Sequence, residues 1–151
     1  MKLKLLATLT LLTPLLFTNP VKAENSLQLK QLLSTGECVK CDLSGANLKG
    51  AHLVGVDLRE ANLQGADLTG ANLEGADLSR ANLAEANLTS AFVTNTNLQQ
   101  ANLNRANFTS AKIYDSNVYG ALMNDLNISD AEIFNTGIGI GGEDVTLPAW
   151  D

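Results

Sequence analysis

His52 is the only histidine among 151 residues, and that scarcity removes much of enzyme chemistry at the outset. No Ser–His–Asp set, P-loop or dinucleotide-binding glycine pattern accompanies it. There are two cysteines, Cys38 and Cys41, short of the four ligands that a structural zinc takes. Neither a metal nor an organic cofactor is expected, and no catalytic residue stands out. Aromatic residues make up 5% of the chain, so any core must be built from small aliphatic side chains. Basic residues are the minority charge, 10 against 16 acidic ones.

Long apolar runs are equally scarce. The one present, LLATLTLLTPLLF, is well short of the roughly 20 residues that a membrane-spanning helix needs, and Pro14 interrupts it. Preceded by MKLK and followed by Val21 and Ala23, it reads as a signal peptide, residues 1–23, cleaved after Ala23. Its removal takes Lys2, Lys4 and Lys22, leaving 7 of the 10 basic residues against 16 acidic ones and a net charge of −9. No stable membrane insertion is expected afterwards. An acidic surface repels phosphate backbones, so nucleic acid is not an expected partner.

What is present is a beat. From Leu43 to Ile138 every fifth residue is apolar, 20 centres in succession, mostly Leu. Two places before each centre stands Cys41 and then mostly Ala, with Val56, Thr96, Ser116, Leu126 and Thr136 as variants; between the two is usually Asn or Asp. On an α-helix a period of five would spiral the Leu row around every face. On a flat strand it would invert the face at each step. The chain must therefore turn within each repeat, stacking coil upon coil around one axis. A narrow solid interior of this kind leaves no cleft for a substrate, which argues against an enzyme.

The run A-[D/N]-L-x-x from Cys41 to Ile138, most of the chain that follows Ala23, resembles the pentapeptide-repeat family. That resemblance implies an all-β fold, a right-handed quadrilateral β-helix of about five coils with a short N-terminal capping α-helix. The stretch Thr35-Gly36-x-Cys38-x-x-Cys41-Asp42-Leu43 is similar to the exported, cyanobacterial-type subgroup, which implies a destination in the periplasm or thylakoid lumen. Some relatives are acidic rods that mimic duplex DNA and bind gyrase. Here Arg59, Arg80 and Arg105 interrupt the acidic faces, and export leads away from gyrase.

The outward positions carry structural signals. Gly45, Gly50, Gly55, Gly65, Gly70 and Gly75 fall two places after a centre, where a type II corner with positive φ favours glycine. From residue 80 that place holds Arg80, Glu85, Ser90, Asn95, Gln100 and Arg105, so the later corners are expected to use a different turn type, with Gly120 as an exception. The Asn/Asp slot suits hydrogen bonds to backbone of the neighbouring coil. His52 occupies one such slot and is expected to be solvated. The N-x-[ST] patterns at Asn87, Asn107 and Asn127 are generated by the repeat itself.

The ends of a solenoid need covers. Residues 24–37 are expected to form a helical cap, with a helix over 26–34 capped by Asn25 or Ser26 and ended by Gly36. The β-helix is assigned to 38–138. Residues 139–151 lose the beat and form a C-terminal cap or tail, in which Leu147 or Trp150 folds over the last coil. At the junction, Cys38 and Cys41 are expected to form a disulfide fastening the helical cap to the first coil, as suits an exported protein. Free core thiols and a redox-active pair are the alternatives, the last lacking the setting that lowers a thiolate pKa.

Residues 20 apart stack on one face of a four-sided coil. Val54, Glu74, Thr94, Tyr114 and Phe134 then form one column, with Phe92 beside it and Tyr119 on the next side. An apolar patch of this kind marks a protein-partner site, unless the tail covers it. The function expected is that of an exported, non-catalytic structural or interaction module with an unidentified protein partner. Oligomerisation by end or face stacking is open to such a column. Gyrase protection and a thiol–disulfide activity through Cys38 and Cys41 are the competing readings.

Overall fold

Every β-bridge in the computed structural model joins residues 20 apart, in parallel, from Glu37↔Asp57 to Asn107↔Asn127. The structure describes residues 20–138. One turn of the coil therefore uses four pentapeptides, and four ladders of bridges run up the column. The chain is a β-helix, as the five-residue period required. Most sides are single bridges. On one side they widen into three short parallel strands, β1 (Phe92–Thr94), β2 (Lys112–Tyr114) and β3 (Glu132–Phe134), paired in that order.

The ladders are bonded from both sides of each centre. The N–H of Leu43 donates to the C=O of Asn62 at 2.7 Å, and the N–H of Asn62 donates back to the C=O of Cys41 at 2.8 Å. Inside, the centres from Leu58 to Leu83 and the Ala residues between them are fully buried, as are Leu103, Phe108 and Ile113 one and two coils later. Large and small side chains alternate because the axis is too narrow for two large ones. Each fully buried Leu contributes about 1.5–3 kcal/mol.

The corners depart from expectation. All twenty of them, from Lys40 to Asn135, have positive φ, although only seven are glycine. Most close with a bond from the Ala N–H to the preceding centre, such as Ala46 to Leu43 at 3.0 Å, the four-residue turn that wants positive φ at its third residue. Thus no general change of turn occurs after residue 80. Each coil must bend sharply at every corner, and the ladders above and below impose that bend on Arg80 or Glu85 as firmly as on a glycine. The cost of a left-handed non-glycine residue, about 1–2 kcal/mol, is offset by the bonds it keeps.

Three corners do differ, those of the strand side. Thr96, buried, sends its hydroxyl to the C=O of Leu73 at 2.9 Å and its N–H to Ser116 Oγ at 3.2 Å, while Ser116 Oγ donates to the C=O of Val93 at 2.8 Å. At the corner of Asn95, Ser116 Oγ thus stands between the Thr96 N–H and the Val93 C=O, the two groups that would otherwise close the turn.

The Asn/Asp slot also works differently from the expectation. Its Oδ1 accepts the N–H two residues on in the same repeat, as Asp42 does from Ser44 at 3.1 Å and Asn97 from Gln99 at 3.2 Å. Its Nδ2 reaches a side chain, not backbone, on the coil before: Asn62 to Asp42 at 3.1 Å, Asn82 to Asn62 at 3.1 Å, Asn102 to Asn82 at 3.0 Å. On another side Asn87 donates to Thr69 Oγ1 at 2.9 Å and Asn107 to Thr89 Oγ1 at 3.1 Å. The N-x-[ST] patterns there are links in this ladder.

Helix α1 runs Pro20–Thr35, longer at its start than the helix expected from Ser26. Proline is at home in the first helical turn, having no N–H to leave unpaired. Gly36 ends the helix with φ 74° and bonds back to the Leu32 C=O at 2.9 Å. Leu32 is buried against the first coil, Leu29 partly so. Among the described residues no helix is long and apolar enough to cross a membrane. The bulk of the expected signal peptide and the whole of 139–151, with Leu147 and Trp150, lie outside the described residues.

Candidate interaction surface

The strand side is where bulky residues replace the usual Asn, Asp, Gly and small polar groups. Its strands read FVT, KIY and EIF, each with one apolar residue inward and two others outward. Pairing sets Phe92, Lys112 and Glu132 in one outward column, and Thr94, Tyr114 and Phe134 in the next. Sequence spacing placed Tyr114 and Phe134 in one column correctly, with Phe92 in the neighbouring one.

These side chains interact along the column. Lys112 Nζ lies 5.9 Å from the centre of the Phe92 ring and 4.0 Å from the Glu132 carboxylate. The Tyr114 hydroxyl donates to Glu132 Oε2, and this bond to a carboxylate pushes the phenol pKa up. Tyr114 is half-buried. Phe92 and Phe134 are 45% and 69% exposed, and Val54 at the far end of the Tyr114 column is 56% exposed. Tyr119, on the adjoining side, is 75% exposed.

Leu122 escaped the sequence reading. It occupies an Asn/Asp slot, bridges Asn102 and ends the asparagine ladder, leaving a side chain 54% exposed. Its signal was legible, since no other repeat carries Leu in that slot. Lys112 and Glu132 were missed as well, because charges on one face become a pair only when a full turn of the coil is wound between them.

Other polar features are vertical pairs at the corners. Lys40–Glu60 at 3.6 Å and Glu85–Arg105 at 3.0 Å each join residues 20 apart. Arg59 grips Asp57 through two bonds of 2.8 and 2.7 Å, which holds the Asp57 carboxyl below the usual carboxylate range. A shallow depression of about 230 Å³ lies among Arg59, Glu60, Ser79, Arg80, Gln99 and Gln100. His52 is exposed and bridges Asn72 through backbone. Among the described residues no group of His, Cys, Asp or Glu is arranged to hold a metal.

Cys38 and Cys41 are joined by a disulfide with Cα atoms 5.2 Å apart, and both residues are buried. The bridge spans the first turn of the coil itself, from a centre position to an Ala position. It does not fasten the helix, contrary to expectation. That task falls to Leu32, to Gln28 Oε1, which accepts the Asp42 N–H, and to Gln31, whose amide donates to the Glu37 C=O at 3.0 Å. The Cys38 sulfur lies 3.5 Å from the Gln28 C=O, a packing contact, since a disulfide has no proton to donate.

The chain is similar to known proteins. The Pentapeptide repeats family model matches in 8 copies, over residues 37–80, 61–100 and 93–125. A pentapeptide repeat protein of the Arabidopsis thaliana thylakoid lumen is 29% identical over 70% of this chain and 68% of its own, with a TM-score of 0.45. Another from Nostoc PCC 7120 is 30% identical over 68% of this chain and 93% of its own, with a TM-score of 0.40. QnrB1, a plasmid-mediated fluoroquinolone resistance protein, is 20% identical over 64% of this chain and 52% of its own, with a TM-score of 0.45. No functionally curated protein matches.

Proposed function

The chain belongs to the pentapeptide-repeat family, whose fold is a right-handed β-helix, and on that premise we propose that it is an exported, non-catalytic protein-binding module. The column is quadrilateral, about five coils tall, over residues 38–138, with residues 24–37 as its N-terminal cap. Residues 1–23 are a signal peptide directing it to the periplasm or thylakoid lumen. The disulfide of Cys38 and Cys41 suits an oxidising compartment.

The observation that carries the reading is the strand side. A mostly polar surface here exposes Phe92 and Phe134 beside Tyr114, with Tyr119 around the corner. Aromatic side chains of this size are the usual anchors of protein interfaces. The Lys112–Glu132 pair adds a polar element able to orient a partner. Capture from an extract of the exported compartment tests it: Phe92→Ser with Phe134→Ser is expected to lose the bound protein while keeping the wild-type melting temperature. Unchanged capture by the double variant, or an unprocessed N-terminus in protein taken from the cytoplasm, would overturn the proposal.

A further inference from the structure

Three basic residues stand at corners of the column, Lys40, Arg80 and Arg105. Lys40 and Arg105 each have a carboxylate 20 residues away, Glu60 and Glu85. Arg80 does not. Below it on the same corner, Glu60 is already held by Lys40 at 3.6 Å. Above it stands Gln100, whose Oε1 accepts Arg80 Nε at 3.0 Å. Of the three arginines, Arg80 is thus the one with no ion-pair partner among the described residues. Its two Nη groups have no hydrogen-bond partner there either.

Arg80 lines the shallow hollow of about 230 Å³ together with Arg59, Glu60, Ser79, Gln99 and Gln100. The other two charges there are matched, Arg59 by Asp57 and Glu60 by Lys40, which leaves one uncompensated positive charge. Although the chain is acidic overall, exposed charges more than about 8 Å away are largely screened at physiological salt, so this local excess decides. Ser79 and Gln99 add a hydroxyl and an amide. One coil above, the corner column ends in Gly120, where a Cβ would come within 3.3 Å of Gln100 Cγ; beside it Tyr119 is 75% exposed. We propose that this hollow takes a carboxylate carried by an extended acidic peptide segment. The planar Nη edge of Arg80 matches the two carboxylate oxygens, the Ser79 hydroxyl and Gln99 amide supply further donors, and the segment rests on Tyr119. An exposed ion pair alone gains little, so the ring contact is what favours a peptide over a free anion. The proposal goes beyond the strand-side reading and does not need it.

Side-chain NMR of the protein, titrated with the blocked tripeptide acetyl-Leu-Glu-Leu-amide, tests this. Saturating shifts are expected at the Arg80 Nε–H and at the Gln99 and Gln100 amides, with the Gln counterpart of the peptide binding about tenfold more weakly. Acetate and inorganic phosphate, which cannot reach Tyr119 as well, are expected to need about tenfold higher concentrations. Arg80→Gln should weaken peptide binding about tenfold and still fold, because Gln100 already occupies such a corner with φ 57°. Gln100→Glu keeps the arginine but gives it a carboxylate from within the column, as Glu85 does for Arg105. It too should lose about tenfold in affinity while melting no lower than the wild type. No saturable shift below about 10 mM peptide, equal binding of the Gln peptide, or undiminished binding by either variant overturns the proposal. So does acetate or phosphate binding as tightly as the peptide, which would make the ligand a free anion. Phe92 and Phe134 do not line the hollow, so this proposal and the strand-side one fail separately.

Discussion

Replacing Leu73 by Ala is expected to cost about 3–4 kcal/mol, from a transfer and a cavity contribution together. The side chain is fully buried at the centre of a coil, and Val93, stacked on it in the coil that follows, is fully buried too. Removing three carbons forfeits about 2.4 kcal/mol of transfer free energy at about 0.8 kcal/mol per methylene. A further contribution comes from the cavity, at about 24 cal/mol per Å³ left unfilled. Collapse into that cavity is resisted on both sides, because the Leu73 N–H is bonded to the Phe92 C=O at 2.8 Å and the Asn72 N–H to the Ala51 C=O at 3.0 Å. The loss therefore belongs in the upper part of the usual range for such substitutions. Urea unfolding followed by circular dichroism measures it, with Glu74→Ala, one residue along and outward, as a control expected to change stability by less than about 0.5 kcal/mol. Leu73→Asp should abolish folding, since it buries an unpaired charge in an apolar axis. A Leu73→Ala loss below about 1 kcal/mol, or a folded Leu73→Asp, would refute the register of the core.

Ser116→Ala leaves the Thr96 N–H and the Val93 C=O without the hydroxyl that joins them and is expected to cost about 1–3 kcal/mol; a melting temperature equal to that of the wild type would count against the hydroxyl ladder. Thiol alkylation of the unreduced protein is expected to label neither Cys38 nor Cys41, two labels refuting the bridge; reduction should cost about 2 kcal/mol, little because the closed loop is so short. Asp42 and Asp67 are held below the usual carboxylate range by hydrogen bonds from Ser44 and Thr69 respectively. Their folded-state pKa values are depressed, so their contribution is present above the unfolded value and is lost as pH falls through the folded one. Thermal melts should accordingly drop only in strong acid, and Asp42→Asn with Asp67→Asn should flatten that drop because Asn serves the same ladder; an unaltered acid limb would contradict this origin.

The period of five, read from Leu43 to Ile138, determined by itself that the chain coils and which residues line its axis. A buried row is a property of spacing: each centre must find the inside regardless of its neighbours above and below, so the pattern is written locally in every repeat. The disulfide partners and the terminating role of Gly36 were legible for the same reason, being matters of residues a few places apart. Four repeats per turn were not written that way. They are decided by bonds between residues 20 apart, such as Asp57 with Asp77 and Asn82 with Asn102, and the same local pattern would suit any number of sides.

The tertiary structure alone decided what depends on stacking. Arg80 and Glu85 accept a glycine-like corner because coils on both sides hold the backbone there. Thr96 and Ser116 look like poor substitutes for Ala until the winding of the coil brings each hydroxyl to a carbonyl of the coil before. Lys112 becomes a partner of Phe92 and Glu132, and Leu122 an exposed end to the asparagine ladder, only when the column is assembled. Local chemistry chooses inside from outside; contact between coils, which no window of five residues contains, chooses which outward groups meet and which are left facing solvent.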